Sequence, residues 1–281
     1  VGASLAGLRA VEFIRRAKFD GQLVLIGAEK HHPYDRPPLS KEILRGEADQ
    51  ERLALRRTSY DDLNLDLRLG LRAQSLDARA REILLESGDV VPYDGLVIAT
   101  GGEARLLPKQ PSLAGIHMLR TLDDALAIRA ALEQRPRVAV IGAGFIGAEV
   151  AASARQLGLE VTMIEALETP LAQSLGPRLG GLLQEAHERH GVRVLCGRKV
   201  EGFEGAERVR ALVLDDGTRV ECDVVVVGIG MAPAVSWLKP SPATSGASLV
   251  LSTASGAIFA VATAESASWV VPTPLSAICP V

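Results

Sequence analysis

Three glycines and one acid carry the clearest chemical signal in this sequence: Gly142, Gly144 and Gly147, then Glu165 18 residues beyond the last of them. Gly-x-Gly-x-x-Gly at the mouth of a helix is suited to holding a diphosphate. Gly142 allows a tight turn, Gly144 lets the backbone approach the phosphates, and Gly147 lets helix and strand pack closely. The diphosphate then meets the helix N-terminus, where free N–H groups and the helix dipole favour an anion. Glu165 is placed to accept hydrogen bonds from an adenosine ribose. No arginine follows it in "EALETPL", so a 2′-phosphate would meet a carboxylate and no cation, which favours NAD over NADP.

The elements needed to position these residues are present around them. "RVAVIGAGFIGAEVAASARQLGLEVTMIE" (137–165) predicts a buried strand, the glycine turn, an amphipathic helix and a second apolar strand ending on the acid. A weaker copy opens the chain. "GASLAG" has Gly2 and Gly7 with Ser4 at the middle glycine position, and Glu29 follows 22 residues after Gly7 at the end of "QLVLIG".

An internal duplication links the two. "ESGDVVPYDGLVIATG" (86–101) matches "DDGTRVECDVVVVGIG" (215–230), pairing Gly88 with Gly217, Asp94 with Asp223 and Gly101 with Gly230 at a constant offset of 129. Each copy predicts a glycine hairpin leading into a buried strand. The first closes on Thr100 and Gly101, the second on Gly230. Two dinucleotide units in one chain predict two dinucleotides, and FAD with NAD is the economical pair. The fold expected is α/β, with two Rossmann-like FAD/NAD(P)-binding units, the NAD unit (109–231) inserted into the FAD unit (1–108 and 232–281).

The 281 residues, 47% of them apolar, are enough for two cores. A net charge of −3 argues against a general polyanion binder, so neither nucleic acid nor an acidic membrane is an expected partner. Cys196, Cys222 and Cys279 form no CxxC and no paired framework, which fits a reducing, cytoplasmic setting. Cys196 and Cys222 read as structural fill. The five histidines lack metal-ligand spacing, apart from His187 and His190 on one helix, and no metal is expected. The N-terminal "VGASLAGLRAVEFIRR" is a poor signal peptide and starts mid-motif.

Taken in order, "GASLAG", "YDRPPLSK", "LVIATGG", "LRTLDDA", "GAGFIGAE" and "VVVVGIGMAP" resemble the FAD-dependent NADH:ferredoxin (rubredoxin, putidaredoxin-type) reductases over residues 1 to 239. The resemblance implies FAD on the first unit, with Glu29 on its ribose, Ala6 at its diphosphate, Ala73 near its adenine, and Arg36, Lys41 and Arg120 in contact. It places NADH on the second unit and pairs Lys41 beside the flavin with Glu149, so that both act in hydride transfer. Pro37 and Pro38 are expected to hold Arg36 extended and form a stiff ramp aiming Arg36 and Lys41 inward. Related disulfide reductases carry Cys-x4-Cys after the first acid, and NADH peroxidases or oxidases a single cysteine. The stretch "HHPYDRPPLSKEIL" has neither.

The resemblance breaks after Trp237. Where the family continues "GIFAAGD", this sequence has "GAIFAVATAE", with Ala262 and Thr263 in place of Gly and Asp. Between Ser241 and Val281 Glu265 is the only charged residue, and an out-of-frame reading is favoured over a buried strand pair, a divergent tail or a membrane span. The chain is therefore expected to be truncated at both ends, to lack the family's third, covering domain, and to hold FAD weakly. Weak binding would follow because the first strand is cut at Val1, leaving Gly2 without its edge, and Thr263 offers no carboxylate. The function expected is hydride transfer from NADH to FAD, then single electrons to a ferredoxin or rubredoxin-type iron–sulfur protein. The alternatives are a non-catalytic NAD-binding fragment and an NADH-dependent flavin reductase for small oxidants.

Overall fold

The computed structural model describes residues 1–238 and three two-residue strands, Thr253–Ala254, Ala257–Ile258 and Val261–Ala262. The chain divides into two compact units. One comprises Val1–Asp35, Ala54–Glu103 and the chain from Pro233 onward; the other comprises Arg36–Leu53 and Ala104–Ala232.

The second unit is built on a five-stranded parallel sheet. Its order is Val192–Cys196, Val161–Glu165, Val138–Ile141, Val224–Val227 and Ile116–Met118. The runs "VAVI" and "VVVV" are buried at every position, as strands covered on both faces must be. Helices Leu122–Leu132, Phe145–Gln156 and Ala172–Arg189 accompany them, the last interrupted at Gly176 and Pro177. Thr121 and Asp124 cap the first of these reciprocally: Asp124 N–H donates to the Thr121 hydroxyl at 3.1 Å and Thr121 N–H to the Asp124 carboxylate at 2.8 Å. A three-stranded antiparallel sheet, Val200–Glu204, Ala211–Leu214 and Arg219–Glu221, completes the unit.

In the first unit, strand Leu23–Gly27 pairs in parallel with Leu65–Leu69. Helix Leu5–Arg16 packs its buried Leu8 and Val11 against Leu25 and Leu63, each full burial worth about 1.5–3 kcal/mol. Strands Ala73–Asp77, Glu82–Leu85 and Val90–Pro92 form its antiparallel sheet.

The 129-residue repeat is written into the hydrogen bonds. Leu85 N–H donates to Asp89 O and Leu214 N–H to Thr218 O, both at 2.9 Å, while Gly88 and Gly217 close the same turns at φ +91° and +80°.

Three expectations change. First, Arg36–Leu53 groups with the second unit, and the chain crosses between units at 103/104 and 232/233 rather than 108/109 and 231/232. The cause is local: Ser40, Lys41 and Arg45 all bond to helix Phe145–Gln156. Second, Arg36 is not extended but helical, at φ −87° and ψ −31°, and Pro37–Ser40 is a 3₁₀ turn. Proline suits the first positions of a helix because its missing N–H has no acceptor there, and Leu39 N–H and Lys41 N–H close the turn onto Arg36 O and Pro38 O. Third, Gly2 does not lack an edge. Its N–H donates to Ile26 O at 2.8 Å, and Val1 O accepts from Ala99 N–H at 2.7 Å. The expectations for Thr263 and for the reading frame of 241–281 lie outside the described residues.

Candidate functional site

The glycine turn of the second unit joins strand Val138–Ile141 to helix Phe145–Gln156. Its three glycines differ in what a side chain would meet. Gly142 has φ +96°, and a Cβ there would lie 2.5 Å from Gly228 O. A Cβ on Gly147 would lie 1.9 Å from Gly142 O, so that position must stay bare for the helix to sit against the turn. At Gly144 the nearest atom beyond its chain neighbours would be Gly228 O at 4.0 Å, so the space before its backbone is open. Gly144 is also the helix N-cap, which leaves the first N–H groups of the helix beside that space.

A cavity of about 800 Å³ opens there. Gly142, Gly144, Glu165 and Gly230 line it, and so do Ser40, Arg36 and Arg120. Arg36 and Arg120 therefore sit on the same cavity as the second glycine turn, and the Arg36 guanidinium donates to Arg120 O. Glu165 is held by two backbone donors, Ala143 N–H at 2.6 Å and Leu167 N–H at 2.9 Å. These bonds fix the carboxylate at the strand end, and its remaining lone pairs suit ribose hydroxyls.

Lys41 and Glu149 meet, with Nζ 2.9 Å from Oε2. The side chains are 33% and 36% exposed, so the pair is worth no more than about 1 kcal/mol to stability. Sequence reasoning missed its companions. The Ser40 hydroxyl donates to the same Glu149 oxygen at 2.5 Å, and the Ser153 hydroxyl, one helical turn beyond Glu149, donates to Ser40 O at 2.7 Å. Both serines are buried. Ser40 lies inside "YDRPPLSK", but nothing in the sequence shows that its hydroxyl reaches a helix more than a hundred residues away.

Arg198 and Lys199 were missed as well. They enter the cavity from the loop after Val192–Cys196 and supply the cations that "EALETPL" lacks. Arg198 is ion-paired, its Nε 2.6 Å from Asp216 Oδ2.

The first unit repeats the turn. Gly2 has φ +109°, and its Cβ would lie 2.1 Å from Ala99 O; a Cβ on Gly7 would lie 1.9 Å from Gly2 O. Ala99 and Gly228, the two carbonyls involved, are themselves 129 residues apart. Ser4 is the N-cap of helix Leu5–Arg16, with Ala6 in its first turn, and its hydroxyl makes no capping bond. Glu29 accepts from the Tyr34 hydroxyl. The Thr100 hydroxyl donates to Ala234 O at 2.8 Å, and Gly101 O accepts from Ala234 N–H at 3.0 Å. Ala73 is buried among Ile26, Ile83 and Leu85.

Among the described residues the two thiols, Cys196 and Cys222, hold their protons firmly. Burial pushes Cys222 up to about 12 and Cys196 to about 11, with nearby carboxylates adding to the shift, and a protonated thiol is a poor nucleophile. Among the described residues no helix is long and apolar enough to cross a membrane.

The chain is 42% identical over 235 residues to the biphenyl dioxygenase system ferredoxin–NAD(+) reductase component of Paraburkholderia xenovorans (strain LB400), covering 83% of this chain and 58% of that protein. It is 39% identical over 236 residues to rhodocoxin reductase of Rhodococcus erythropolis, covering 83% and 55%. The chain thus spans little more than half the length of these curated relatives. Among solved structures it matches the ferredoxin reductase for the CYP199A2 system from Rhodopseudomonas palustris with a TM-score of 0.81 and 38% identity, over 90% of this chain and 61% of that one. The covalent putidaredoxin reductase–putidaredoxin complex gives the same TM-score at 32% identity, again over 90% and 61%. Residues 1–254 match the pyridine nucleotide-disulphide oxidoreductase family, and with a paired glycine turn in each unit the chain belongs to that family.

Proposed function

We propose that this protein acts as an FAD-dependent NADH:ferredoxin reductase, passing electrons from NADH through FAD to a small ferredoxin or rubredoxin-type iron–sulfur protein of an oxygenase system. The observation that carries this reading is the repetition of one diphosphate-cradling turn, at Gly2 and at Gly142, each glycine with a positive φ, its N–H on a strand-end carbonyl (Ile26 O, Ile164 O) and a second carbonyl facing its bare side (Ala99 O, Gly228 O). Two such turns fit two dinucleotides.

In this proposal Gly142, Gly144, Gly147, Glu165 and Gly230 hold NADH. Gly2, Ser4, Ala6, Gly7, Glu29, Ala73, Thr100 and Gly101 hold FAD, together with Arg36, Lys41 and Arg120. Bound flavin supplies the chemistry that takes two electrons together and releases them singly. The chain's own part is orientation and charge. Glu165, fixed by two backbone N–H groups, sets the adenosine end of NADH. Glu149 moderates the Lys41 cation and is itself held by Ser40. The relatives' names, ferredoxin–NAD(+) reductase and rhodocoxin reductase, support the acceptor class. The isolated cysteines support a cytoplasmic setting.

The test is anaerobic addition of NADH to the purified protein with FAD and a ferredoxin. Loss of the visible flavin band, followed by ferredoxin reduction, is expected. A colourless protein that binds NADH and reduces nothing would leave only a nicotinamide-binding chain.

A further inference from the structure

Three loops meet where the adenosine ribose would lie. Arg198 N–H donates to Glu165 O at 3.0 Å and Gly197 N–H to Leu167 O at 2.8 Å, so the loop carrying Arg198 lies against the loop carrying the ribose acid. Asp215 N–H donates to Lys199 O at 2.9 Å, tying in the Leu214–Thr218 hairpin turn. Asp216 is fixed in that turn, its Oδ1 accepting from Thr218 N–H at 2.9 Å, which leaves Oδ2 for Arg198.

We propose that Asp216 is a specificity-determining residue of the nucleotide cleft: by engaging Arg198 it withholds a guanidinium that would otherwise receive the 2′-phosphate of NADPH. The inference rests on the reading of this cleft as the NADH site. A guanidinium beside the ribose acid is suited to bind a phosphate by paired hydrogen bonds. Here it shares the cavity wall with Glu165 but is neutralised by a carboxylate, and that carboxylate adds its own repulsion to a phosphate dianion. NADH carries no 2′-phosphate and is indifferent to this charge. Selection against NADPH is thereby divided between Glu165, which a sequence reading identifies, and Asp216, which lies 51 residues further along and reaches the site through another side chain.

The test is fluorescence titration of NADH and NADPH against the unaltered chain, Asp216→Asn, Arg198→Ala and the double variant. Asparagine keeps the acceptor for Thr218 N–H, so the turn is preserved. Asp216→Asn should tighten NADPH about three- to tenfold, the range for an exposed ion pair and one removed repulsive charge, and change NADH less than about twofold. Adding Arg198→Ala should abolish the gain. Arg198→Ala alone, which leaves the Asp216 carboxylate without its cation, should weaken NADPH modestly and leave NADH within about twofold. The proposal is overturned if Asp216→Asn leaves NADPH unchanged or tightens both nucleotides alike. It is also overturned if the gain survives Arg198→Ala, which would assign it to Lys199, or if Arg198→Ala alone tightens NADPH. Failure of the unaltered chain to bind NADH would instead refute the reading of the cleft, and this inference with it.

Discussion

Gly142→Ala and Gly144→Ala are two identical substitutions, two residues apart, that should behave oppositely toward the fold. At Gly142 the backbone has φ +96°, and a new methyl would lie 2.5 Å from Gly228 O and 2.9 Å from its carbon. The segment carrying that carbonyl is held in place, because Gly228 N–H is bonded to Ile141 O at 2.7 Å at the end of the buried Val224–Val227 strand. Backbone strain of about 1–3 kcal/mol at such a φ, plus displacement of a packed strand end, gives an expected loss of roughly 2–4 kcal/mol. At Gly144 φ is −73°, which alanine adopts freely, and beyond its chain neighbours no protein atom lies nearer the new methyl than 4.0 Å. The fold should be unaffected to within about 0.5 kcal/mol. The methyl would nonetheless occupy the space through which the backbone approaches the diphosphate. Losing one or two charge-assisted hydrogen bonds there costs about 1.5–3 kcal/mol each, so NADH affinity should fall at least tenfold, on the order of ten- to a hundredfold for a single bond. Urea denaturation and NADH titration on both variants separate the effects. Gly142→Ala should lower both the midpoint and the affinity, and Gly144→Ala the affinity alone. Unimpaired NADH binding by Gly144→Ala would show that the diphosphate does not pass over this turn.

Two further predictions concern charge. Lys41→Met should lower stability by less than about 1 kcal/mol, since the pair is one-third exposed and Ser40 still donates to Glu149, yet slow flavin reduction by NADH more than it weakens NADH binding. Stopped-flow traces in which reduction and binding change equally would remove Lys41 from the transfer. The Cys222 thiol keeps its proton up to about pH 12 in the fold, whereas in the unfolded chain it ionises near its ordinary value of 9.0. Above pH 9 the unfolded state binds fewer protons, so stability falls as pH rises toward the folded value. Urea midpoints between pH 8 and 11 should fall more steeply for the unaltered protein than for Cys222→Ala, and equal slopes would contradict the burial argument.

The turns were legible because their requirements are local. Positive φ at Gly142 and close packing at Gly147 depend on a few neighbouring atoms, and only glycine meets them. The strand–helix–strand order around them was equally legible from apolar periodicity. The Pro37–Pro38 segment misled for a partly non-local reason: the preference of a residue before proline for extended backbone was outweighed by two closing hydrogen bonds and by the Arg36 guanidinium on the distant Arg120 O. Ser40, Ser153, Arg198 and Asp216 were not legible at all. Ser40 and Ser153 meet through the packing of helix Phe145–Gln156, and Arg198 and Asp216 through the antiparallel pairing of Val200 with Leu214, and none belongs to a spacing pattern.

The two units differ most at the acid, and the repeat shows how. Gly2 N–H bonds Ile26 O as Gly142 N–H bonds Ile164 O, which makes Gly27 the counterpart of Glu165. A Cβ at Gly27 would lie 2.5 Å from the Ala3 methyl, so the first unit has no room for a side chain where the second carries its carboxylate. Its acid, Glu29, comes two residues later, beyond the strand end, and accepts from the Tyr34 hydroxyl, whereas Glu165 is held by Ala143 and Leu167 N–H. The longer spacing in the first unit, 22 residues against 18, thus comes half before the strand and half after it. The diphosphate turn, whose geometry is set by backbone contacts, is nearly the same in both copies. What differs is how each acid is anchored, so under the proposed function discrimination between the two dinucleotides would begin at the strand end and not at the glycines.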